Sequence, residues 1–251
     1  MDYIEKFKDR IEGYLYASSK YENVLQNENI TAVKLLNPMK NEKILHIAAI
    51  GVNIKKYIDP ILDIDLIEVD HNEDFVKMGG QGYEYINLDK MPYPDNTFDK
   101  VIVIANFHHT SIPERRIIYK EILRVLTPNG IFILGDVLKD SRQDKFLNVF
   151  VNEYNPCGHN GLFFDWSDLK LFNEIGFNTS IKKEKYTWNF DSHESLIDFC
   201  YNFFHLKKIE KSKIYDEIQK YLNLKVKNLD NNKLALEWEW ELIYFIAKAS
   251  K

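Results

Sequence analysis

Two apolar runs dominate residues 44–70: Ile44-Leu45-His46-Ile47-Ala48-Ala49-Ile50, which breaks at Gly51, and Ile64-Asp65-Leu66-Ile67-Glu68-Val69, which ends on Asp70. The first reads as a strand buried on both faces, which places it in a parallel sheet covered by helices. Ligands of such sheets lie beyond the carboxyl ends of the strands. Small residues at the first strand end let a cofactor approach the backbone, and an acid at the second end accepts a ribose hydroxyl.

The chain before and after these runs supports that reading. Apolar residues at 3, 4, 7, 11, 14 and 15 predict an N-terminal helix, and a second helix over 28–36 stops at Asn37-Pro38. Strand one covers 43–49, a short helix 53–58, and strand two leads to Asp70. One or two helical turns over 73–78 and a flexible connection at Gly79-Gly80-Gln81-Gly82 follow. Strand three covers 83–88. Strand four, Val101-Ile102-Val103-Ile104-Ala105, is apolar throughout. Ser111 and Glu114 form a capping box around Pro113, and Ile117, Ile118, Ile122, Val125 and Leu126 supply that helix's buried stripe. Thr127-Pro128-Asn129-Gly130 closes the helix, and strand five, 131–134, ends on Gly135-Asp136.

Further on, a helix near 146–150 runs into a loop over 154–161, and a helix over 166–175 stops at Gly176. A strand over 179–190 comes next, then a helix over 196–204 boxed by Asp191 and Glu194, and another over 214–222. Residues 234–246 alternate with a period of two, as a strand returning to the sheet edge does. The expected fold is α/β, a doubly wound Rossmann-like sheet of seven mostly parallel strands with an antiparallel last strand. N-terminal helices (1–40) precede the core (41–190), a helical cap (191–232) is inserted, and the final strand (233–251) returns to the core.

Charge and cysteines narrow the function. A net charge of −5, with no Lys/Arg cluster unopposed by acids, excludes a nucleic-acid binder. Cys157 and Cys200 give neither a disulfide framework nor a metal-ligand spacing, so no metal is expected. With no run of 18 apolar residues and no signal pattern, the expectation is a cytoplasmic protein away from membranes, acting on a small-molecule substrate, with a homodimer as one assembly.

Three linked blocks carry a family resemblance: Met91-Pro92-Tyr93-Pro94-Asp95-Asn96-Thr97-Phe98-Asp99, then Phe107-His108-His109, then Glu121-Ile122-Leu123-Arg124-Val125-Leu126-Thr127-Pro128-Asn129-Gly130. In order and spacing they resemble class I S-adenosylmethionine-dependent methyltransferases. The resemblance implies that Ala48, Ala49 and Gly51 lie under the methionine part of S-adenosyl-L-methionine and that Asp70 holds its ribose, with His71 flanking the adenine. Asn87, Leu88 and Asp89 match the adenine-contacting segment, and Ala105, Asn106 and Phe107 lie beside the sulfonium. The chain departs from the family at His46, in this same cofactor set, where an acid is usual, and at Ile50, where a glycine is usual. These departures leave open a catalytically inactive binding or scaffold protein on the same fold. An unrelated nucleotide-dependent α/β enzyme, such as a dehydrogenase, is a third reading.

The expected reaction is methyl transfer to a hydroxyl or amine of a small molecule, such as a sugar or other biosynthetic intermediate. Position and orientation supply most of the rate of an in-line displacement, and a base assists a hydroxyl acceptor. Histidine is the natural base near neutral pH. His159, in a glycine-flanked loop, is the first candidate. His108 and His109 follow, with side chains expected to diverge. Asp136 is expected either to bind the acceptor or to stand in water. Trp188, Tyr201 and Phe204 are candidate pocket walls or core.

Overall fold

The computed structural model describes residues 10–79, 82–229 and 233–251. The first described helix, α1, is Ile11–Lys20, and α2 is Gln26–Leu36; the apolar positions 3, 4 and 7 lie outside the described residues. Strand β1 is Lys43–Ile47, β2 Asp65–Asp70, β3 Glu84–Tyr85, β4 Phe98–Ile104 and β5 Leu126–Val137. Between β1 and β2 the expected short helix is two 3-10 turns, Lys55–Tyr57 and Pro60–Leu62. The second is set by Asp59, whose side chain accepts from the Ile61 N–H at 3.0 Å. Helix α3 is Glu73–Gly79. The third strand is far shorter than its sequence suggests.

Helix α4, Ile112–Val125, opens on the expected capping box of Ser111 and Glu114. Its stripe is rotated from the apolar pattern, however. Ile117 is exposed, and the buried side chains are Arg115, Ile118, Tyr119, Ile122 and Val125. The 127–130 turn is a bulge within β5, since Phe98 pairs Leu126 and Lys100 pairs Ile131.

Helix α5 spans 142–154 and contains a π-helical stretch, Phe146–Val151. Helix α6, Leu169–Ile175, stops at Gly176, whose φ of 116° suits a residue without Cβ. Strand β6 is Phe177–Phe190. Helix α7, His193–Phe203, is boxed by Ser192 and Ser195, not by Asp191 and Glu194; each serine hydroxyl accepts from the other's backbone N–H at 3.0 Å. Helix α8 is Lys211–Tyr221. The segment expected to be a helical cap ends in an eighth strand, β7 (Leu224–Leu229), paired antiparallel with β8 (Lys233–Ala249). Among the described residues no helix is long and apolar enough to cross a membrane.

The sheet order is β3-β2-β1-β4-β5-β8-β6, with β7 beside β8. The pairings from β3 to β5 are parallel, and β8 joins β5 antiparallel, as the alternation predicts. The chain packs as two compact units. One comprises residues 29–137, 162–184 and 242–251 and holds β1 to β5. The other comprises the described residues up to 28, 138–161 and 185–241. In the second unit Trp188 stacks on Trp240 with ring centroids 4.4 Å apart, and Phe199, Phe203, Phe204 and Trp238 surround it.

Where β5 meets β8, Gly135 sits opposite Tyr244, and a Cβ on it would lie 2.7 Å from the ring's Cδ1. The ring is fully buried and has no room to retreat. Gly135→Ala is therefore expected to destabilise the chain by about 1–3 kcal/mol, the usual range for overpacking. Urea denaturation would check this, and an unchanged midpoint would mean that the ring yields freely.

Candidate functional site

Parallel pairing aligns the carboxyl ends of four strands. Ile47 pairs with both Val69 and Val103, and Ile104 pairs with Gly135. From β1 the sheet grows to β2 on one side and to β4 on the other, so a crevice opens beyond the end of β1. The residues there have unusual backbones. Ala48 and Ala105, just past β1 and β4, have φ of 56° and 50°, and Gly51 has φ of 85°. Left-handed alanine costs roughly 1–3 kcal/mol, a strain that clusters at ligand sites. Ala49 is tied to the neighbouring strand through its N–H to the Val69 carbonyl, 3.2 Å. Ile50, at the position where a glycine is usual in the resembled family, is buried against Gly79; a Cβ on Gly79 would sit 3.0 Å from its Cδ1. The bulk at 50 is thus matched by a glycine at 79.

Asp70 closes β2 and is 5% exposed. Its Oδ1 accepts from the Asn72 N–H at 2.9 Å, and Asn72 in turn caps α3 by accepting from the Asp74 and Phe75 N–H groups. Burial pushes the Asp70 carboxyl up to about 6, against the lowering effect of the Asn72 and His71 N–H groups. Burial also pulls His71 down to about 4. His71 is therefore neutral near pH 7, and its Nδ1, 3.8 Å from Asp70 Oδ1, makes no ion pair.

Three residues expected at the cofactor have buried polar atoms with no hydrogen-bond partner among the described residues: both ring nitrogens of His46, Nδ1 of His71 and Oδ1 of Asn106. His46 lies within β1 opposite Glu68, whose Oε1 is 3.5 Å from Nδ1. Buried polar atoms in this state are costly unless a ligand or water satisfies them. Asn87 and Asp89 are exposed and joined by an Asn87 Oδ1 bond to the Asp89 N–H (2.9 Å), while Leu88 between them is buried. The Phe107 side chain packs into the core beside Tyr119 and leaves only its backbone to the crevice end.

At the ends of β4 and β5, His108 and Asp136 form a couple. Asp136 is fully buried and does not stand in water. Its Oδ2 accepts from the His108 backbone N–H at 3.1 Å, and its Oδ1 lies 2.8 Å from His108 Nδ1 and 2.7 Å from the Val137 N–H. Two backbone N–H groups, those of His108 and Val137, converge on this side chain, and with its oxygens accepting, Nδ1 is the ring nitrogen of His108 that donates to it. Nε2 of His108 is then the ring's acceptor. The His108 and His109 rings do not diverge. Their centroids are 3.9 Å apart, because the chain turns here into a 3-10 segment, Phe107–His109, rather than continuing as strand.

His159 belongs to the other unit, as do Trp188, Tyr201 and Phe204. Asn148, in the π-helical stretch, grips both polar groups of Gly161: its Nδ2 donates to the carbonyl (3.0 Å) and its Oδ1 accepts from the N–H (2.7 Å). The same Oδ1 lies 3.1 Å from His159 Nδ1, which makes Nδ1 a donor, and Asn152 Oδ1 accepts from the His159 N–H at 2.8 Å. Trp188 and Phe204 are buried in the aromatic cluster described above, whereas Tyr201 carries Lys207 and Lys211 against its ring. Asn148 and Arg115 were not among the sequence candidates. A charged residue amid a buried helical stripe is a usable signal for Arg115, and Asn148 has none.

Residues 51–134 match a family model described as a methyltransferase domain. Over 56 residues the chain is 39% identical to 27-O-demethylrifamycin SV methyltransferase of Amycolatopsis mediterranei (strain S699), 22% of this chain and 20% of that protein. Over 77 residues it is 39% identical to sterol 4-C-methyltransferase strm-1 of Caenorhabditis elegans, 30% of this chain and 22% of that protein. The match spans about a fifth of the length of these curated relatives. The fold is similar to that of Haemonchus contortus phosphoethanolamine N-methyltransferase 2 in complex with S-adenosyl-L-methionine. The TM-score is 0.57 at 15% identity, covering 100% of this chain and 60% of that one.

Asp70 yields a pH prediction. The folded chain holds its proton up to about pH 6, whereas the unfolded chain releases it near 3.8. Stability from this group is therefore full below about 3.8, falls as pH rises through that window, and the cost persists above 6. Asp70→Asn removes the cost and is expected to be more stable than the parent at pH 7.5, by up to about 3 kcal/mol. The gap should close toward pH 4 in denaturant titrations, and a pH-independent gap would exclude a buried, titrating Asp70.

Proposed function

We propose that the chain is a class I S-adenosylmethionine-dependent methyltransferase that transfers a methyl group to a hydroxyl or amine of a small-molecule acceptor, with His108 as general base. The observation that carries the base assignment is the buried Asp136–His108 couple at the adjoining ends of β4 and β5.

The residues at the crevice fit the cofactor. Asp70 offers a buried acceptor for a ribose diol, and the left-handed turn at Ala48, Ala49 and Gly51 brings backbone close to the ligand. Asn87 to Asp89 suit the adenine, and Ala105 to Phe107 offer backbone at the sulfonium. His46, His71 and Asn106 add polar atoms in need of partners. When bound, S-adenosyl-L-methionine supplies an electrophilic methyl group and departs as a neutral thioether.

The chain's own contribution is orientation and proton removal. Asp136 fixes the His108 tautomer, Nε2 takes the acceptor's O–H or N–H proton, and the carboxylate stabilises the resulting imidazolium. A base on a fixed ring favours acceptors that lose a proton in the reaction, which supports hydroxyl or amine over other classes. The named relatives act by O-, C- and N-methylation, so they leave that choice to the site.

Calorimetry with S-adenosyl-L-methionine and S-adenosylhomocysteine is expected to give saturable binding that Asp70→Ala weakens. No binding at millimolar cofactor would sink the enzyme reading. In a screen of hydroxyl and amine acceptors read by S-adenosylhomocysteine release, His108→Gln should lower turnover about 10²–10⁴-fold with cofactor affinity retained. Undiminished turnover would remove His108 from the role.

A further inference from the structure

We propose that Arg115 is a positioning residue for the base. It anchors a strap, residues 162–164, that fixes both the backbone and the imidazole of His108. The inference rests on the methyltransferase reading for its purpose and on geometry for its content.

The strap bonds to the ends of two neighbouring strands. The Leu162 N–H donates to the carbonyl of His108 itself at 2.7 Å, and the Phe164 N–H donates to the carbonyl of Val137, the residue after Asp136, at 3.2 Å. Between them the Phe163 ring packs on the His108 imidazole with centroids 5.0 Å apart. His108 is thus held on three sides: Asp136 takes its Nδ1–H and backbone N–H, Leu162 takes its carbonyl, and Phe163 covers a ring face.

Arg115 holds the strap from the first turn of α4, and it is 1% exposed. Its Nη2 donates to the Leu162 carbonyl, so one residue of the strap is held through its carbonyl by Arg115 and through its N–H by His108. Its Nη1 is 3.5 Å from Asp168 Oδ1, and its Nε is 3.4 Å from Thr110 Oγ1, a hydroxyl that itself donates to the Phe107 carbonyl at 2.7 Å. The guanidinium carbon lies 3.8 Å from the Phe164 ring centroid. One planar group therefore ties the segment after β4 to the strap through two nitrogens and one face, with the third nitrogen on Asp168, which lysine cannot do. A buried charge is a poor way to gain stability alone, since apolar residues of similar volume do as well. What an apolar side chain cannot supply is the fixed carbonyl of Leu162.

The test reads the His108 ring directly in the full chain, labelled with ¹⁵N-histidine and assigned with His108→Gln. The parent is expected to show one tautomer, with the proton on Nδ1 and none on Nε2. Arg115→Gln should lose that slowly exchanging Nδ1–H signal and populate the second tautomer, and Arg115→Lys should restore the parent pattern only in part. Leu162→Pro serves as a second variant. The Leu162 side chain is half-exposed, and the change removes the N–H that holds His108 while fixing φ at 162, so in a folded variant it should give the same loss with Arg115 in place. An unchanged His108 tautomer in folded Arg115→Gln, or in Leu162→Pro, overturns the proposal. Calorimetry with S-adenosylhomocysteine on the parent chain reports on the methyltransferase reading separately, because the ring signal needs no ligand.

Discussion

Everything at the site depends on β4 being paired in parallel on both edges. Five of its residues, Lys100 to Ile104, are buried between β1 and β5, and their backbone bonds fix the register of the strand ends to a single residue. A slip of one residue would turn every side chain to the opposite face, so the apolar packing on both faces forbids it. That register sets Ala105 beside Gly135, with the Ala105 N–H bonded to the Gly135 carbonyl at 2.7 Å. The next residue of β5 is Asp136, and three residues past Ala105 stands His108. The couple is thus a consequence of strand pairing, and the crevice beside β1 is another consequence of the same pairing.

Around this frame the chain buries charge where a purely structural design would avoid it. Lys100 is buried and offset by Glu42 at 2.8 Å and the Asn37 carbonyl at 2.6 Å, an ordinary satisfied pair. Arg115 is satisfied by three partners. Asp70 differs. Two backbone N–H groups are not enough to hold its carboxyl at the ordinary value, and burial wins. Two strained alanines and three unpartnered polar side chains lie at the same strand ends. Backbone strain and unpaired polar atoms brought together at one set of strand ends are how a binding site appears before its ligand arrives.

The sequence discloses the frame better than the couple. Apolar runs, the Ser111–Glu114 box and the Gly176 stop are local signals, and each marks an element that forms where expected. The Ser192–Ser195 box was hidden by an equally plausible acid pair one residue earlier. Strand β7 was missed because Leu224 to Lys227 offers only two alternations, too few without the partner that β8 provides. Asp136 was legible as a strand-end acid, but its bond reaches back 28 positions, and nothing local separates a carboxylate held by a histidine from one in water. Arg115 defied the usual pattern more directly. The isoleucines predict the helix's stripe, yet Ile117 faces solvent and an arginine takes the buried position.

Partner charge separates His108 from His159. His108 and His159 each have Nδ1 facing a side-chain oxygen, so each presents Nε2 as the acceptor. The partners differ in charge. Asn148 offers a neutral amide oxygen, which fixes the tautomer but gains little when the ring becomes an imidazolium. Asp136 offers a carboxylate in a site shielded from water, where attraction to a new positive charge is strong. For a base, the state after proton transfer decides the rate, and the carboxylate at His108 Nδ1 improves in that state more than the amide at His159 Nδ1 does. The glycine-flanked loop that drew attention to His159 explains how its backbone approaches Asn148 and Asn152, and it gives no comparable reason for the ring to accept a proton.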